Sequence, residues 1–101
     1  MNVQIEAPFT ISDPMQKLIE EKVDKLTTYY DRITTVKVYM KDEIQRVHHK
    51  DVRTVEMRVE VPGTSLFADD SAETFEKAIA GVANKLGRQI RDFKDKLKEH
   101  H

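Results

Sequence analysis

The stretch TFEKAIAGVANKLGRQIRDFKDKLK, residues 74–98, decides the fold of this chain. Its large apolar side chains recur every three or four residues, which is the spacing of one face of an α-helix. They are Phe75, Ile79, Val82, Leu86, Ile90, Phe93 and Leu97. Residues 85–98 also hold six cations and two carboxylates, a balance of +4, whereas the whole chain has a formal net charge of −1. One long helix therefore combines a core face with a basic face.

The basic face alone has two interpretations. A charged helix face is usually solvated surface, and Asp92 with Lys96 is an ordinary pair at positions i and i+4. The alternative is a binding surface for an anionic partner. The rest of the chain has to decide between them.

Composition narrows the class of protein. A chain of 101 residues with 39% hydrophobic and 35% charged residues forms one domain with a dense ionic surface. It has no cysteine, so disulfides and thiolate metal sites are excluded, and a cytoplasmic protein is expected. No apolar run is long enough for a membrane span, and the N-terminus lacks a secretory signal pattern. We leave His100 and His101 out of functional reasoning and expect residues 98–101 to be a frayed tail.

The first third of the chain predicts a strand followed by a helix. Alternating apolar residues predict a half-buried strand over residues 2–7. A helix is then predicted to about residue 29 or 30. Asp13 is the expected N-cap, Pro14 occupies the first turn, and Gln16 is placed to reach back to the cap.

The middle of the chain predicts three more strands. Alternation over residues 33–41 and 52–61 predicts two of them, and the charged segment 42–51 is expected to be an extended hairpin connection of uncertain length. The sequence Val61-Pro62-Gly63-Thr64 has Pro and Gly where a type II turn requires them. A short strand is predicted over residues 65–69.

The predicted order is β-α-β-β-β-α. The strands alternate, so one sheet face should be dry and both helices should cover it, giving an α+β two-layer sandwich with a four-stranded mixed sheet. The first β-α-β unit should pair its strands in parallel, and the later strands should be antiparallel. The wet face is expected to carry Lys37, Tyr39, Lys41 and Arg58, and Arg53 as well. The order of elements is similar to that of a double-stranded-RNA-binding domain with an added strand and a longer last helix.

Nothing in the sequence demands catalysis, and no cofactor is expected. Gly81 and Gly87 lie inside a predicted helix, where they favour close packing of the helix against the sheet rather than a phosphate loop. His48 and His49, if extended, point to opposite faces, so they cannot share a metal ion. We therefore predict neither an enzyme nor a metal site.

Binding is the better supported class of function. Lys85, Arg88 and Arg91 follow one another at one-turn spacing and are predicted to share an outward side suited to a phosphate backbone. The alternative is a protein–protein module, with a possible homodimer, that uses the wet sheet face around Tyr39 and Arg58.

Two segments resemble the ribosome hibernation-promoting factor family, also called ribosomal-subunit interface proteins. The first is KVDKLTTYYDRI, residues 22–33. The second combines Ala78-Ile79 with Lys85-Leu86, Arg88-Gln89 and the tail KDKLK, residues 94–98. The resemblance spans nearly the whole chain. The chain differs from the family pattern at residues 74–76 and at Ala80, so no contact is carried over there.

The resemblance implies that residues 1–101 form one ribosome-binding domain. It would occupy the channel of the small ribosomal subunit where mRNA and the A- and P-site tRNAs lie, and would block translation without chemistry. A cytoplasmic monomer of the short form, lacking the C-terminal dimerisation domain, is expected off the ribosome, with no membrane or small-molecule partner. The residues carried over to rRNA binding are Lys22, Lys25, Arg32, Lys85, Arg88 and Lys94. Arg91, Lys96 and Lys98 are added on charge and helix face alone.

Overall fold

The computed structural model describes residues 1–99, apart from the side chains of residues 42–45 and 99. Six elements follow one another: β1 (Asn2–Glu6), α1 (Asp13–Tyr29), β2 (Thr35–Val47), β3 (Lys50–Val61), β4 (Thr64–Ala72) and α2 (Phe75–Glu99). The predicted β-α-β-β-β-α order is confirmed.

The four strands form one mixed sheet in the order β1-β2-β3-β4. β1 pairs with β2 in parallel, and the two later pairings are antiparallel, as the alternation and connection lengths predicted. One lateral row crosses the sheet through Gln4, Lys37, Arg58 and Phe67. The next row along β2 belongs to the opposite face, with Val38 opposite Met57. Both helices contribute to a single core with that second face, so the two-layer sandwich is confirmed.

The core follows the predicted apolar stripes. In α2, Ile79, Val82, Leu86 and Ile90 are fully buried, and each such side chain contributes roughly 1.5–3 kcal/mol of transfer free energy. Leu97, in the last turn of α2, remains 44% exposed. No helix within residues 1–99 has the length and apolar character needed to cross a membrane.

The start of α1 differs from the prediction by one residue. Ser12, not Asp13, is the N-cap: its side-chain oxygen accepts from the Met15 backbone N–H at 3.3 Å. The Gln16 amide donates to Glu20 instead of reaching back to the cap. Ser and Asp cap helices about equally well, so adjacent candidates give no clear choice from sequence.

Segment 42–51 is the predicted hairpin connection, and the structure gives its length: it is strand up to a two-residue turn. β2 continues to Val47 and β3 begins at Lys50, with a register shift between Met40 and Ile44. His48 and His49 form a two-residue turn with φ of 50° and 66°, the left-handed geometry that matches the twist of a hairpin. His48 and His49 are therefore not extended, whereas the prediction that they cannot share a metal ion rested on an extended backbone. Residues 41–52 form a two-stranded β2–β3 arm that extends past the end of β1.

Other boundaries shift by a few residues. Gly63 has φ of 87°, consistent with the predicted type II turn, and β4 runs over residues 64–72 rather than 65–69. Lys98 is helical, so the expected fraying does not begin there. His100 and His101 lie outside the described residues.

On the outer sheet face, two of the predicted cations pair with carboxylates of the same face, whereas Arg58 is exposed and has no described ion pair. Lys37 lies 3.4 Å from Glu60, and Lys41 lies 3.0 Å from Glu56. Arg53 does not belong to this face, contrary to expectation. Its alternation places it with Val55 on the helix side, where its guanidinium donates to the Glu73 backbone oxygen at 2.8 Å and lies 5.9 Å from the Phe75 ring centroid.

Candidate nucleic-acid interface

A groove between α1 and α2 gathers several of the predicted binding residues. We call it the inter-helix groove, and its floor and walls come from both helices. Its lining residues are Lys22, Lys25, Leu26, Tyr29, Ala83, Asn84, Gly87 and Arg91. The floor is apolar and joins the core, whereas the rim is cationic.

Helix periodicity explains why α1 presents cations here. Lys22, Lys25 and Tyr29 are spaced by three and four residues, so they share the flank that faces α2. Glu20 and Asp24 fall on the other flank by the same periodicity. Two of the three α1 lysines, Lys22 and Lys25, therefore face the groove, whereas Lys17 lies outside it.

Contacts on two sides fix the orientation of Arg91 in the groove. Its Nε donates to the Gly87 backbone oxygen at 3.2 Å, and its guanidinium carbon lies 4.9 Å from the Tyr29 ring centroid. The second contact is within the range of a cation–π interaction. Gly87 allows this approach, because a Cβ at that position would lie 3.1 Å from Tyr29 Cε2.

The cationic rim continues toward the C-terminal end of α2. A shallow depression there is lined by Thr28, Tyr29, Arg91, Lys94, Asp95 and Lys98. Arg91 and Tyr29 belong to both depressions, so the two form one continuous surface. Its only acidic lining residue among the described side chains is Asp95.

Lys85 does not belong to this surface, which corrects the predicted alignment of Lys85, Arg88 and Arg91. Its Nζ donates to the Asp69 backbone oxygen at 2.8 Å and lies 3.1 Å from Asp70 Oδ1. Six residues of helix turn Arg91 by about 120° from Lys85, so the first faces α1 and the second faces β4. We call the β4-facing side, with Gly81, Lys85 and Gln89, the β4 flank.

The remaining predicted residues lie outside the groove. Arg88 is exposed on the solvent side of α2, between the two flanks. Lys96 falls near Lys85 by helix periodicity, and Lys96 and Lys98 occupy the last turn, where cations also stabilise the helix dipole. Arg32 is exposed in the turn after α1.

Ion pairing separates the groove from the rest of the surface. The described ion pairs use Lys37, Lys41, Lys50 and Lys85. Among the described side chains, none of the groove cations, nor Lys94 or Lys98, lies within 4.0 Å of a carboxylate. Their charge is therefore available to an external anion. Across the same residues, no three His, Cys, Asp or Glu side chains come together as a potential metal site.

Sequence reasoning missed three groove residues: Tyr29, Asn84 and Gly87. Tyr30, its neighbour, is 8% exposed and packs edge-on against Phe93, as the apolar stripe predicted. The signal for Tyr29 was its spacing from Lys25, since both belong to the same flank of α1. Gly87 had been assigned to helix–sheet packing, but it is Gly81 that lies against the sheet, at Asp70.

Comparisons with known proteins connect the chain to one family. Residues 3–98 match the family model described as "Sigma 54 modulation protein / S30EA ribosomal protein". The chain is 33% identical over 90 residues to the ribosome hibernation promoting factor of Escherichia coli K12, covering 89% of this chain and 88% of that protein. It is 30% identical over 86 residues to the factor of the same name from Pseudomonas putida, covering 85% and 78%.

Two solved structures share the fold. A ribosomal subunit interface protein from Coxiella burnetii has a TM-score of 0.77 at 20% identity and covers 94% of this chain and 99% of its own. The N-terminal domain of Protein Y from Thermus thermophilus has a TM-score of 0.72 at 22% identity, with coverage of 91% and 94%. At these identities the two structures support the architecture alone.

Proposed function

From its membership in the S30EA ribosomal protein family, the family of the ribosome hibernation promoting factors, we propose that this chain binds the ribosome and inhibits translation. Residues 1–101 act as one ribosome-binding domain on the small subunit. The domain occupies the channel for mRNA and for the A- and P-site tRNAs, and it inhibits by occupancy without catalysing a reaction. It acts in the cytoplasm, as a monomer off the ribosome.

The observation that carries this proposal is the unpaired cationic surface along the inter-helix groove. Lys22, Lys25, Arg91, Lys94 and Lys98 lie along one side of the helical layer, whereas Lys37 and Lys41 on the sheet face are each paired with a carboxylate of the same face. An RNA backbone supplies the regularly spaced negative charge that such a surface lacks. A net charge of −1 with one basic side favours docking in a single orientation over a non-specific coat.

The contributions of the nine predicted residues are unequal in this proposal. The five groove and rim cations make the principal phosphate contacts. Arg88, Arg32 and Lys96 add peripheral contacts from the exposed surface around them. Lys85 contributes least, because binding RNA through its ammonium would require breaking its contacts with Asp69 and Asp70.

Co-sedimentation with purified small ribosomal subunits tests the proposal. We expect saturable binding that falls by on the order of a hundredfold between 50 and 200 mM salt for about five phosphate contacts. Added mRNA with initiator tRNA should compete. Absence of binding at low salt, or binding that mRNA and tRNA leave unchanged, would contradict ribosome binding or the channel location, respectively.

A matched pair of double variants assigns the surface. Lys25→Glu with Lys94→Glu places two carboxylates on the groove side, and we expect at least about a tenfold loss of affinity and a salt slope reduced by about two. Lys17→Glu with Lys77→Glu makes the same charge change, one residue on each helix, outside the groove. That control should retain near-native affinity, and circular dichroism should show both variants folded.

A further inference from the structure

Arg91 differs from the other groove cations because its side chain is already ordered. The Nε–H is used by the Gly87 oxygen, and the guanidinium carbon lies over the Tyr29 ring, 4.9 Å from its centroid. A lysine or a free arginine loses considerable rotamer entropy when it binds a ligand. Arg91 has lost part of that freedom on folding, so less is lost when a ligand arrives.

The contacts that hold Arg91 leave its binding end free. Nε and the ring-facing surface are occupied, but the two Nη groups have no carboxylate within 4.0 Å among the described side chains. Paired N–H groups at the end of a planar guanidinium match two oxygens of one phosphate. The geometry is that of a fixed two-pronged donor.

The surroundings of Arg91 suit one phosphate group. Lys22 and Lys25 lie across the same groove, on the α1 side, and the Asn84 amide lies on the α2 side. Lysine contributes a point charge without a fixed direction, which suits a supporting role beside an oriented arginine. The groove therefore concentrates three positive charges on one small volume, unlike the open spacing of Lys94 and Lys98.

Tyr29 and Gly87 act together in this arrangement. Tyr29 is half-buried between the helices, and the ring is held close to α2 because residue 87 has no side chain. A Cβ at residue 87 would press on the ring at 3.1 Å and displace the platform under Arg91. Tyr29 is thus a positioning residue for Arg91, and this role does not need its hydroxyl group.

We infer that the inter-helix groove is a site for a single backbone phosphate of folded RNA, gripped by Arg91 in an orientation that Tyr29 fixes and flanked by Lys22 and Lys25. This inference rests on the proposed function and adds a specific contact to it. It makes the shape of residue 91, and not only its charge, a determinant of affinity.

Charge-conserving variants test the inference. Arg91→Lys keeps the positive charge and removes both the fork and the stacked plane, so we expect affinity for small ribosomal subunits to fall about tenfold. Arg58→Lys makes the same chemical change on the outer sheet face, away from the proposed RNA-binding residues, and should stay within about twofold of the wild type. Tyr29→Leu should weaken binding about three- to tenfold, whereas Tyr29→Phe, which keeps the ring, should bind like the wild type.

A measurement without the ribosome gives an independent readout. The Arg91 Nε–H should show a resolved, slowly exchanging NMR signal in the wild type and in Tyr29→Phe, and it should broaden or collapse into the common arginine signal in Tyr29→Leu. If Tyr29→Leu loses the native amide spectrum, the variant is unfolded. The affinity of Arg91→Lys and the Arg91 Nε–H signal of the wild type then test the inference.

The outcomes separate the two proposals. If Arg91→Lys binds as well as Arg58→Lys while Lys25→Glu with Lys94→Glu still weakens binding at least about tenfold, the oriented site is wrong and the basic surface stands. A wild-type Arg91 Nε–H that exchanges as fast as those of exposed arginines would also overturn the orientation. If the wild type fails to bind subunits at low salt, both proposals fall together.

Discussion

Both flanks of α2 carry cationic and amide side chains, but those of the β4 flank bond to the sheet, whereas those of the groove flank have no described bond to it. On the β4 flank, Lys85 and Gln89 donate to the backbone oxygens of Asp69 and Phe67, at 2.8 and 2.9 Å. On the groove flank, Lys94 and Lys98 lie on a rim with no described carboxylate within ion-pairing distance. The difference teaches that a basic helix face is not one surface. What lies across from each flank decides whether a cation stabilises the fold or remains available to a partner.

Exchanging charge on the two flanks gives the largest predicted divergence. Lys85→Glu places a carboxylate beside Asp70 and removes two hydrogen bonds, so we expect the free energy of unfolding to fall by about 1–2 kcal/mol. Lys94→Glu should change it by less than about 0.5 kcal/mol. Urea unfolding measures both.

Ribosome binding should show the reverse order. Lys94→Glu should weaken co-sedimentation with small subunits more than Lys85→Glu does, once both variants are confirmed as folded at the assay temperature. Equal stabilities, or a stronger binding loss for Lys85→Glu, would mean that the two flanks do not divide the work in this way.

A neutral substitution on each flank sharpens the comparison without changing charge. Gln89→Leu removes the donor to the Phe67 oxygen, and we expect a loss of about 0.5–1 kcal/mol in the free energy of unfolding. Asn84→Leu makes a similar change on the groove flank and should leave stability within about 0.5 kcal/mol, because its amide has no described hydrogen-bond partner on the chain. Thermal or urea unfolding of the pair settles whether the β4 contact contributes.

The smallest effect concerns the start of α2, where neither flank is involved. A hydrogen bond from Lys50 and its positive charge lower the pKa of Glu73 below its ordinary value, and Lys77 adds to the effect. Because the folded pKa is depressed, the stabilisation is present above the ordinary carboxyl pKa and is lost as pH falls through the depressed value. Lys50→Gln should raise the pKa of Glu73 toward its ordinary value.

An NMR titration of the Glu73 carboxyl group in the wild type and in Lys50→Gln measures this shift. Both groups are solvent-exposed, so the accompanying change in stability should be small. An unchanged Glu73 titration in the variant would show that the link between β3 and the start of α2 is not formed in solution.

The two-layer architecture was predictable from the sequence because burial of one face imposes a regular spacing on the apolar residues of each strand and helix. Val55, Met57 and Val59 alternate into the core, and Ile79, Leu86 and Ile90 recur at helical spacing, so both patterns are visible in the residues themselves. A hairpin connection was predicted over residues 42–51, but the length of its strands and the position of its turn were not, for the corresponding reason. Its turn is His48-His49, without the Gly or Asn that usually marks a left-handed pair, and it extends beyond the core that would impose alternation.

The site was predictable in charge but not in arrangement. The sequence identified the cations of both helices, yet helix periodicity alone does not say which flank of α2 meets β4 and which meets α1. That depends on sheet order and on where each helix lies over the sheet. Arg53 shows the same limit, since its charge suggested the wet face while its register and its contact with Phe75 place it on the other.

The contacts of the β4 flank also affect whether another strand can pair with the β4 edge of the sheet. A strand at the end of a sheet normally offers a row of vacant backbone acceptors to any passing chain. In β4, the carbonyls of Phe67 and Asp69 are already taken by Gln89 and Lys85. A strand that pairs with β4 would have to displace both side chains before it could donate hydrogen bonds to these carbonyls. The side chains of α2 therefore protect the β4 edge, which disfavours edge-to-edge association of copies of the protein at high concentration.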